Sequence, residues 1–398
     1  NDHRRNNWRP LLYKVENNGK KWNALATEQI DGFTHVIKQD HINPDLLFAG
    51  AEFGLHISRD GGKNWVKHIS GIPPVAVHDL AIQSQEDDLV IGTHGRGIFI
   101  IDDYSILRQD LTFDDEPKII GITDAQHYQK SAPMGPLRPG FAEYSADNEP
   151  YGAVISWSVK KALNTQLIIR DNENTIVRTM EIEGTSGINR IVWDLQTNGY
   201  RSYPNRDGDE PSLMGPEVPP GVYRAEIGDS CQRFSVLKDP RYTLDEEDYQ
   251  VRYDFMKQVF DQHGQLVDLM TEIHITQNTI KTALNNAEEK LKAMDLSDDK
   301  RMVLENLKND LTVNHDILYR FEARLSGKSD VAAMERLSTT VFWGRWLMSS
   351  NFGRPTQNDH DRYVTIQSKL DLLKSDVENF YTENAELLFS QISELSKM

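Results

Sequence analysis

The sequence predicts a multidomain β + α protein: partial β-propeller blades, then a β-sandwich, then an antiparallel bundle of long helices. Three observations predict it. A motif of short strands recurs at a spacing of 43 residues near the start of the chain. A series of short β-branched segments follows, punctuated by Gly, Asn, Asp and Pro. From about residue 240 the apolar period lengthens from the two of strands to the three-to-four of helices. The expected domains are residues 1–104 for the blades, 105–118 for a linker, 119–239 for the sandwich and 240–398 for the bundle.

The repeat is read first. "SRDGGKNW" (58–65) places Ser58, Asp60, Gly62 and Trp65 in a spacing that "VENNGKKW" (15–22) repeats 43 residues earlier, with Asn17, Gly19 and Trp22 in register. "GLHISRD" (54–60) returns as "GIFIIDD" (97–103), again after 43 residues. Apolar strands ending in glycine precede these, "LLFAG" (46–50) and "DLVIG" (88–92). Such a period, built from short strands, fits a four-stranded propeller blade. In the turn, an aspartate accepts backbone N–H bonds. Gly61 and Gly62 tolerate positive φ, and Trp65 packs beneath. The expected role of these four residues is structural.

"SRDGGKNW" resembles the Asp-box of BNR-repeat propellers, found in sialidases, some glucanases and sortilin-like receptors. "DLVIGTHGRGIFIIDD" resembles the last blade of bacterial sortilin-like propeller proteins often labelled glycosyl hydrolases. The first copy departs from the box, with Val15 for Ser and Asn17 for Asp. The resemblance implies more blades than residues 1–104 hold, supplied by a companion chain or by an N-terminal part of a longer protein. The chain opens on Asn1-Asp2 without an initiator Met or signal peptide, which is expected of a processed or partial protein. The resemblance also implies an exported protein, extracellular or at the bacterial surface or periplasm.

After the linker, residues 152–159, 165–171, 175–183, 188–195, 221–227 and 232–239 read as strands of a small antiparallel sandwich. "IVWDL" followed by "VPPGVYRAEI" resembles the Ig-like modules of bacterial exported proteins. Trp193 is expected in its core, and Cys231 is expected as a small buried hydrophobe in a strand. The Gly-, Pro- and Asp-rich stretch 197–217 is expected as a solvated loop. Its Asp207, Asp209 and Glu210 lack EF-hand spacing.

Thr243 and Glu246 have capping-box spacing. Apolar residues then recur from Tyr249 to Met294, from Leu304 to Leu325 and from Tyr363 to Leu395. Each stripe makes one apolar helix face. The first helix is expected to run about 46 residues, or about 69 Å, with Gly264 as a bending point. Phe342, Trp343, Trp346, Leu347 and Phe352 interrupt the pattern as an aromatic cluster. It is expected at the bundle tip or against a protein partner. Pro355, Thr356 and Asp359 mark the start of the last helix.

Composition narrows the function. A formal charge of −17 disfavours nucleic acid, which calls for concentrated Lys and Arg. No apolar run approaches the length of a transmembrane helix. His263 and His274 lie 11 residues apart with no HExxH pattern, and neither metal nor cofactor is expected. "GTHGRG" is placed between strands rather than before a helix, against phosphate binding. Glycoside hydrolysis needs two suitably separated carboxylates. Glu52, Asp79, Asp102 and Asp103 are the candidates, Glu52 and Asp102 foremost. His94 and Arg96 are candidates for ligand or inter-blade contact. The leading expectation is a non-catalytic binding or scaffold protein acting through protein or glycan contacts. The alternatives are a structural subunit of a surface assembly and a glycosidase with most catalytic residues in upstream blades.

Overall fold

A computed structural model describes residues 2–109, 111–128, 150–201, 213–293, 297–326, 337–350 and 352–397. It is mixed β and α, with several mainly antiparallel sheets and, among the described residues, four α-helices. The chain divides into two compact units. One comprises Asn1–Gly121, Ser156–Leu163 and Glu183–Arg190; the other comprises Ile122–Ile155, Asn164–Ile182 and Ile191–Met398.

In the first unit, β1 (Tyr13–Glu16) and β2 (Lys21–Ala24) form a hairpin. Strands β3 (Thr34–Gln39), β4 (Leu47–Ala51), β5 (Gly54–Ser58) and β6 (Val66–Lys67) form a four-stranded sheet in sequence order. Strands β7 (Val77–Gln83), β8 (Asp88–Thr93) and β9 (Ile98–Ile101) form a three-stranded one. The internal repeat is written in the ladder registers. Lys14 pairs with Asn23 as Ile57 pairs with Val66. A bulge falls between Thr34 and Val36 in one sheet and between Val77 and Asp79 in the other. Leu47 opposite Ser58 corresponds to Leu89 opposite Ile101. The spacing is therefore 43 residues from β3 to β7, 42 from β4 to β8 and 43 from β5 to β9.

Strand β4 is buried along its whole length because it is covered on both faces. Leu47, Ala49 and Ala51 pack with Leu12, Ile30 and Trp65. Leu46 and Phe48, with Leu55, pack against Val77, Leu80, Leu89, Ile91 and Tyr104. A strand covered twice reads as the unbroken apolar run seen here rather than as an alternation. Tyr104, the last residue expected in the blades, opens a 3-10 helix, Tyr104–Arg108, that runs into the stretch expected as a linker. Its ring meets Phe48 edge-on at 5.0 Å.

The remaining strands are β10 (Lys118–Ile122), β11 (Ala125–Gln126), β12 (Ala153–Val159), β13 (Leu163–Arg170), β14 (Ile176–Gly184), β15 (Gly187–Trp193), β16 (Tyr200–Arg201), β17 (Leu213–Met214), β18 (Gly221–Ile227) and β19 (Ser230–Leu237). They form sheets of order β10-β12-β15 and β11-β19-β18-β13-β14, and a short β16-β17 ladder. Strands β11 and β19 pair in parallel. Trp193 is fully buried against the rings of Tyr223 and Phe234. Cys231 lies in a strand as expected but is exposed, which corrects the expectation of burial. It is opposite in parity to the buried Phe234 and Val236, so the pleat turns it outward. Asp207, Asp209 and Glu210 lie outside the described residues.

The second unit also holds α1 (Glu246–Ala293), α2 (Asp298–Ser326), α3 (Leu337–Ser350) and α4 (Gln357–Lys397). Helix α1 runs 48 residues, about 72 Å at about 1.5 Å per residue. It passes through Gly264 without a break. Met294 lies outside the described residues. The cap is Asp245 rather than Thr243: Asp248 N–H donates to Asp245 Oδ1 at 2.8 Å, and Asp245 N–H returns to Asp248 Oδ2 at 3.0 Å. Thr356 and Asp359 cap α4 in the same reciprocal way. The three predicted stripes meet in one core, with Ile273 and Ile280 of α1, Leu311 and Leu318 of α2, and Leu370, Leu373 and Val377 of α4. The aromatic interruption is itself a helix, α3. It buries Leu337, Val341, Gly344, Arg345 and Met348 along one stripe.

Candidate functional site

The β5–β6 turn shows what its four marked residues do. Ser58 Oγ donates to Asp60 Oδ1 at 2.9 Å and accepts Gly62 N–H at 2.9 Å. Asp60 Oδ1 accepts the N–H groups of Lys63 and Asn64 at 3.0 and 2.9 Å, and Oδ2 accepts the Asn64 side-chain amide at 2.7 Å. Burial works to raise the Asp60 pKa. The hydrogen bonds from Asn64, Ser58 and Lys63 overcome it and bring the value to about 2. Gly61 and Gly62 stand at φ of 70° and 86°. Trp65 is buried, and its indole N–H donates to Ala26 O at 2.8 Å. The Ser58 and Asp60 oxygens are spent on the turn itself, and the Trp65 indole ties it to Ala26.

The first copy differs. Trp22 is 65% exposed, and its indole N–H turns back to Gly19 O at 2.9 Å. The chain segment that covers Trp65, around Leu25, Ala26 and Gln29, has no counterpart over Trp22 among the described residues.

Four residues at one end of the two sheets form a row. His35 Nε2 lies 2.9 Å from Glu52 Oε2. The His35 and His78 rings are 4.2 Å apart, and the His78 and His94 rings 5.2 Å apart. Phe33 continues the row at 4.7 Å from His35. The repeat generates it: His35 and His78 occupy matching bulges, while Glu52 and His94 occupy matching positions after β4 and β8. Burial lowers the His78 pKa, the neighbouring His35 and His94 lower it further, and Glu52 opposes them. Arg96 is exposed in the β8–β9 turn, which Thr93 closes by donating its hydroxyl to Gly97 O at 2.6 Å. Glu52 and His94 thus come together, and sequence reasoning missed His35 and His78. The 43-residue spacing of those two histidines was the signal that would have found them.

The two foremost candidate carboxylates, Glu52 and Asp102, do not converge. Asp103 follows β9, where its N–H donates to Asp88 Oδ1 at 3.0 Å and its carboxylate caps the 3-10 helix at Ser105. Asp102 is exposed beside it, and its main-chain oxygen accepts a bond from Arg190 at 2.8 Å. This is the β8 start, whereas His94 stands past the β8 end, roughly 20 Å away along a six-residue strand at about 3.3 Å per residue. Asp79 is exposed, and its Oδ1 accepts the N–H of Leu80 at 2.9 Å.

A second polar cluster was not foreseen. Arg108 donates to both Asp40 and Asp87, with Nε to Asp40 Oδ2 at 2.8 Å and Nη1 to Asp87 Oδ2 at 2.6 Å. Tyr104 O–H adds a bond to Asp40 Oδ1 at 2.6 Å. Burial alone would raise the Asp40 carboxyl. The Arg108 guanidinium, the Tyr104 hydroxyl and the Asn43 N–H hold it well below the usual carboxylate range. Asp40, His41 and Asp87 have the proximity of a metal site. The guanidinium occupies the space between their oxygens, however, so the cluster is an ion-pair knot. It pins the 3-10 helix to the β3–β4 turn.

In the second unit, His263 is half-buried in α1 and His274 is exposed. Burial, and then the Arg345 cation, lower the His263 pKa to about 4. On α3, the face opposite the buried stripe carries Phe342, Trp343, Trp346 and Leu347, exposed by 46, 52, 37 and 39%. Trp343 meets Phe342 and Trp346 edge-on at 5.7 and 5.5 Å. Phe352 is not part of that face: it is buried, against Tyr242 and Tyr249.

No family model matches the chain, and no curated protein matches it. Among solved structures, the chain is similar to PorZ, a surface component of the type-IX secretion system of Porphyromonas gingivalis. The identity is 14% and the TM-score 0.20, over 57% of this chain and 35% of that one. It is also similar to the extracellular domain of BT4673 from B. thetaiotaomicron, at 10% identity and a TM-score of 0.20, over 59% of this chain and 29% of that one. The chain thus spans about a third of the length of these proteins, and TM-scores of this size carry no argument. Among the described residues no helix is long and apolar enough to cross a membrane.

Proposed function

We propose that the protein is a non-catalytic binding or scaffold protein of the extracellular space or cell surface. Its repeats belong to a sortilin-like β-propeller with Asp-box turns, its middle strands to an Ig-like sandwich, and its helices present a docking face to a protein partner. The observation that carries the reading is α3. One of its faces is anchored in the bundle, and the other offers two tryptophans, a phenylalanine and a leucine to solvent. Exposed aromatics on a rigid helix are the residue types that dominate binding hot spots. The separation of Glu52 from Asp102 supports it further, since glycoside hydrolysis calls for paired carboxylates about 5–10 Å apart.

The test uses the full chain. A panel of chromogenic glycosides is expected to show no turnover. Turnover that disappears in Glu52→Gln or Asp102→Asn would replace the scaffold with a glycosidase. In partner capture from the native cell surface, Trp343→Ser with Trp346→Ser is expected to lose a protein that the wild-type chain retains.

A further inference from the structure

In the second unit, the outer face of the five-stranded sheet carries a row of like charges. Arg170 of β13 lies directly opposite Arg224 of β18, and Arg224 lies directly opposite Arg233 of β19. Their chain neighbours Ile169, Tyr223, Ala225 and Phe234 are buried, so the pleat turns all three arginines to the same outward side. Like charges set directly opposite one another destabilise a ladder. Glu226, one pleat further along β18, answers two of them: it accepts Arg170 Nε at 2.9 Å and pairs with Arg224 Nη2 at 2.6 Å. Arg170 and Arg224 hold its carboxyl below the ordinary carboxylate range, against the burial that would raise it. Arg233 is exposed and has no hydrogen-bond or ion-pair partner among the described residues.

Beside this row, the β13–β14 turn with β18 and β19 forms a cleft of about 30 Å³, lined by Asp171, Asn172, Asn174, Val222, Arg224 and Arg233. At about 10–15 Å³ for each water-sized oxygen, that is room for two oxygens. Arg224 Nε is buried there without a hydrogen-bond partner, a costly state for a charged donor. Asn174 Oδ1 accepts Arg224 Nη2 at 2.6 Å, which leaves the Asn174 amide nitrogen to donate. Asp171 is committed to its own turn, where its Oδ1 accepts the N–H groups of Glu173 and Thr175 at 3.0 and 2.8 Å. Two guanidiniums thus face one committed carboxylate, with donors to spare. We propose that this cleft binds a small carboxylate, gripped by Arg224 and Arg233 with Val222 against its apolar end. A guanidinium fork matches the two oxygens of a carboxylate. A small rotation of Arg224 brings its unpartnered Nε–H to the ligand, and the bound charge relieves the repulsion along the row. The site is independent of the α3 face and of how the repeats continue.

Saturation-transfer NMR on the full chain tests this with acetate as the probe, at matched ionic strength in chloride, with circular dichroism as a control for folding. The acetate response is expected to saturate. Arg233→Gln, at an exposed position, is expected to weaken binding about tenfold or more. Glu226→Gln, which releases Arg170 and Arg224 from their shared partner, is expected to tighten it. Arg320→Gln, on the exposed side of α2, is expected to change nothing. Formate is expected to displace acetate at comparable concentration, and inorganic phosphate, with four oxygens, to need about tenfold more. A response that never saturates overturns the proposal. So does binding that is unchanged in Arg233→Gln or weakened in Glu226→Gln. Phosphate that displaces acetate more readily than formate does overturns the carboxylate assignment. Trp343→Ser with Trp346→Ser is expected to leave acetate binding unchanged, so failure of the α3 reading is visible separately.

Discussion

At the residue scale, Asp60 and Trp65 hold the β5–β6 turn for different reasons, and substitution should separate them. Asp60→Ala removes an acceptor of several hydrogen bonds at a partly exposed turn, and is expected to cost on the order of 1 kcal/mol. Trp65→Ala empties a buried site between β4 and the Leu25–Gln29 segment, and is expected to cost about 3–5 kcal/mol. Urea unfolding of both variants checks the order, and a costlier Asp60→Ala would reverse it. His263 makes a pH prediction. Its folded pKa, about 4, lies below the ordinary histidine value. Its contribution to stability is therefore complete above about pH 6.5 and is lost as pH falls from there toward 4, as the unfolded chain takes up the proton first. The loss is on the order of 3 kcal/mol. His263→Gln is expected to flatten that acid limb in urea midpoints measured across the range. An unchanged limb would assign the acid sensitivity elsewhere. The β5–β6 turn spacing was legible in the sequence because side chain and turn lie within eight residues. The Arg108 knot was not, since Asp40 and Arg108 are 68 residues apart and nothing local marks them as partners.

At the scale of elements, strands and long helices were legible where period and punctuation agree. Helix α3 was not: its buried stripe is short, and its solvent face is as apolar as its core face, so no amphipathic contrast announced a helix. The two faces should answer differently to substitution. Val341→Asp buries an unpaired charge and is expected to unseat α3 with a loss of several kcal/mol. Trp343→Ser is expected to leave the unfolding midpoint within about 0.5 kcal/mol of wild type. Equal effects would mean that the exposed face is packed in solution. Strand β14 makes a sharper prediction. A Cβ at Gly184 would stand 2.2 Å from the buried ring of Trp157, which has no room to rotate away. Gly184→Ala is expected to cost about 1–3 kcal/mol, readable as a shift in the urea midpoint. A neutral substitution would show that β14 and Trp157 separate readily.

At the scale of the whole molecule, charge and repetition act together. A chain that carries −17 repels acidic partners at low ionic strength. Salt screens that repulsion and leaves apolar contact intact. Any contact of the exposed α3 aromatics with an acidic partner is accordingly expected to strengthen as salt rises, and weakening with salt would point to an ion-paired contact instead. The succession from short strands to long helices was legible from composition and period. What escaped was the geometry that only a three-dimensional register creates, such as the histidine row assembled from two repeated positions. The change of spacing from 43 to 42 and back to 43 carries its own consequence. The β3–β4 connection is one residue longer than the β7–β8 connection, and the turn after β8 is one residue longer than the turn after β4. Length has drifted where the backbone reverses and nowhere along the ladders, because a residue gained inside a strand would exchange its two sides. A gene for such a protein is thus free to lengthen or trim its reversals, and the surface loops that meet other molecules can diversify while the stacked framework stays fixed.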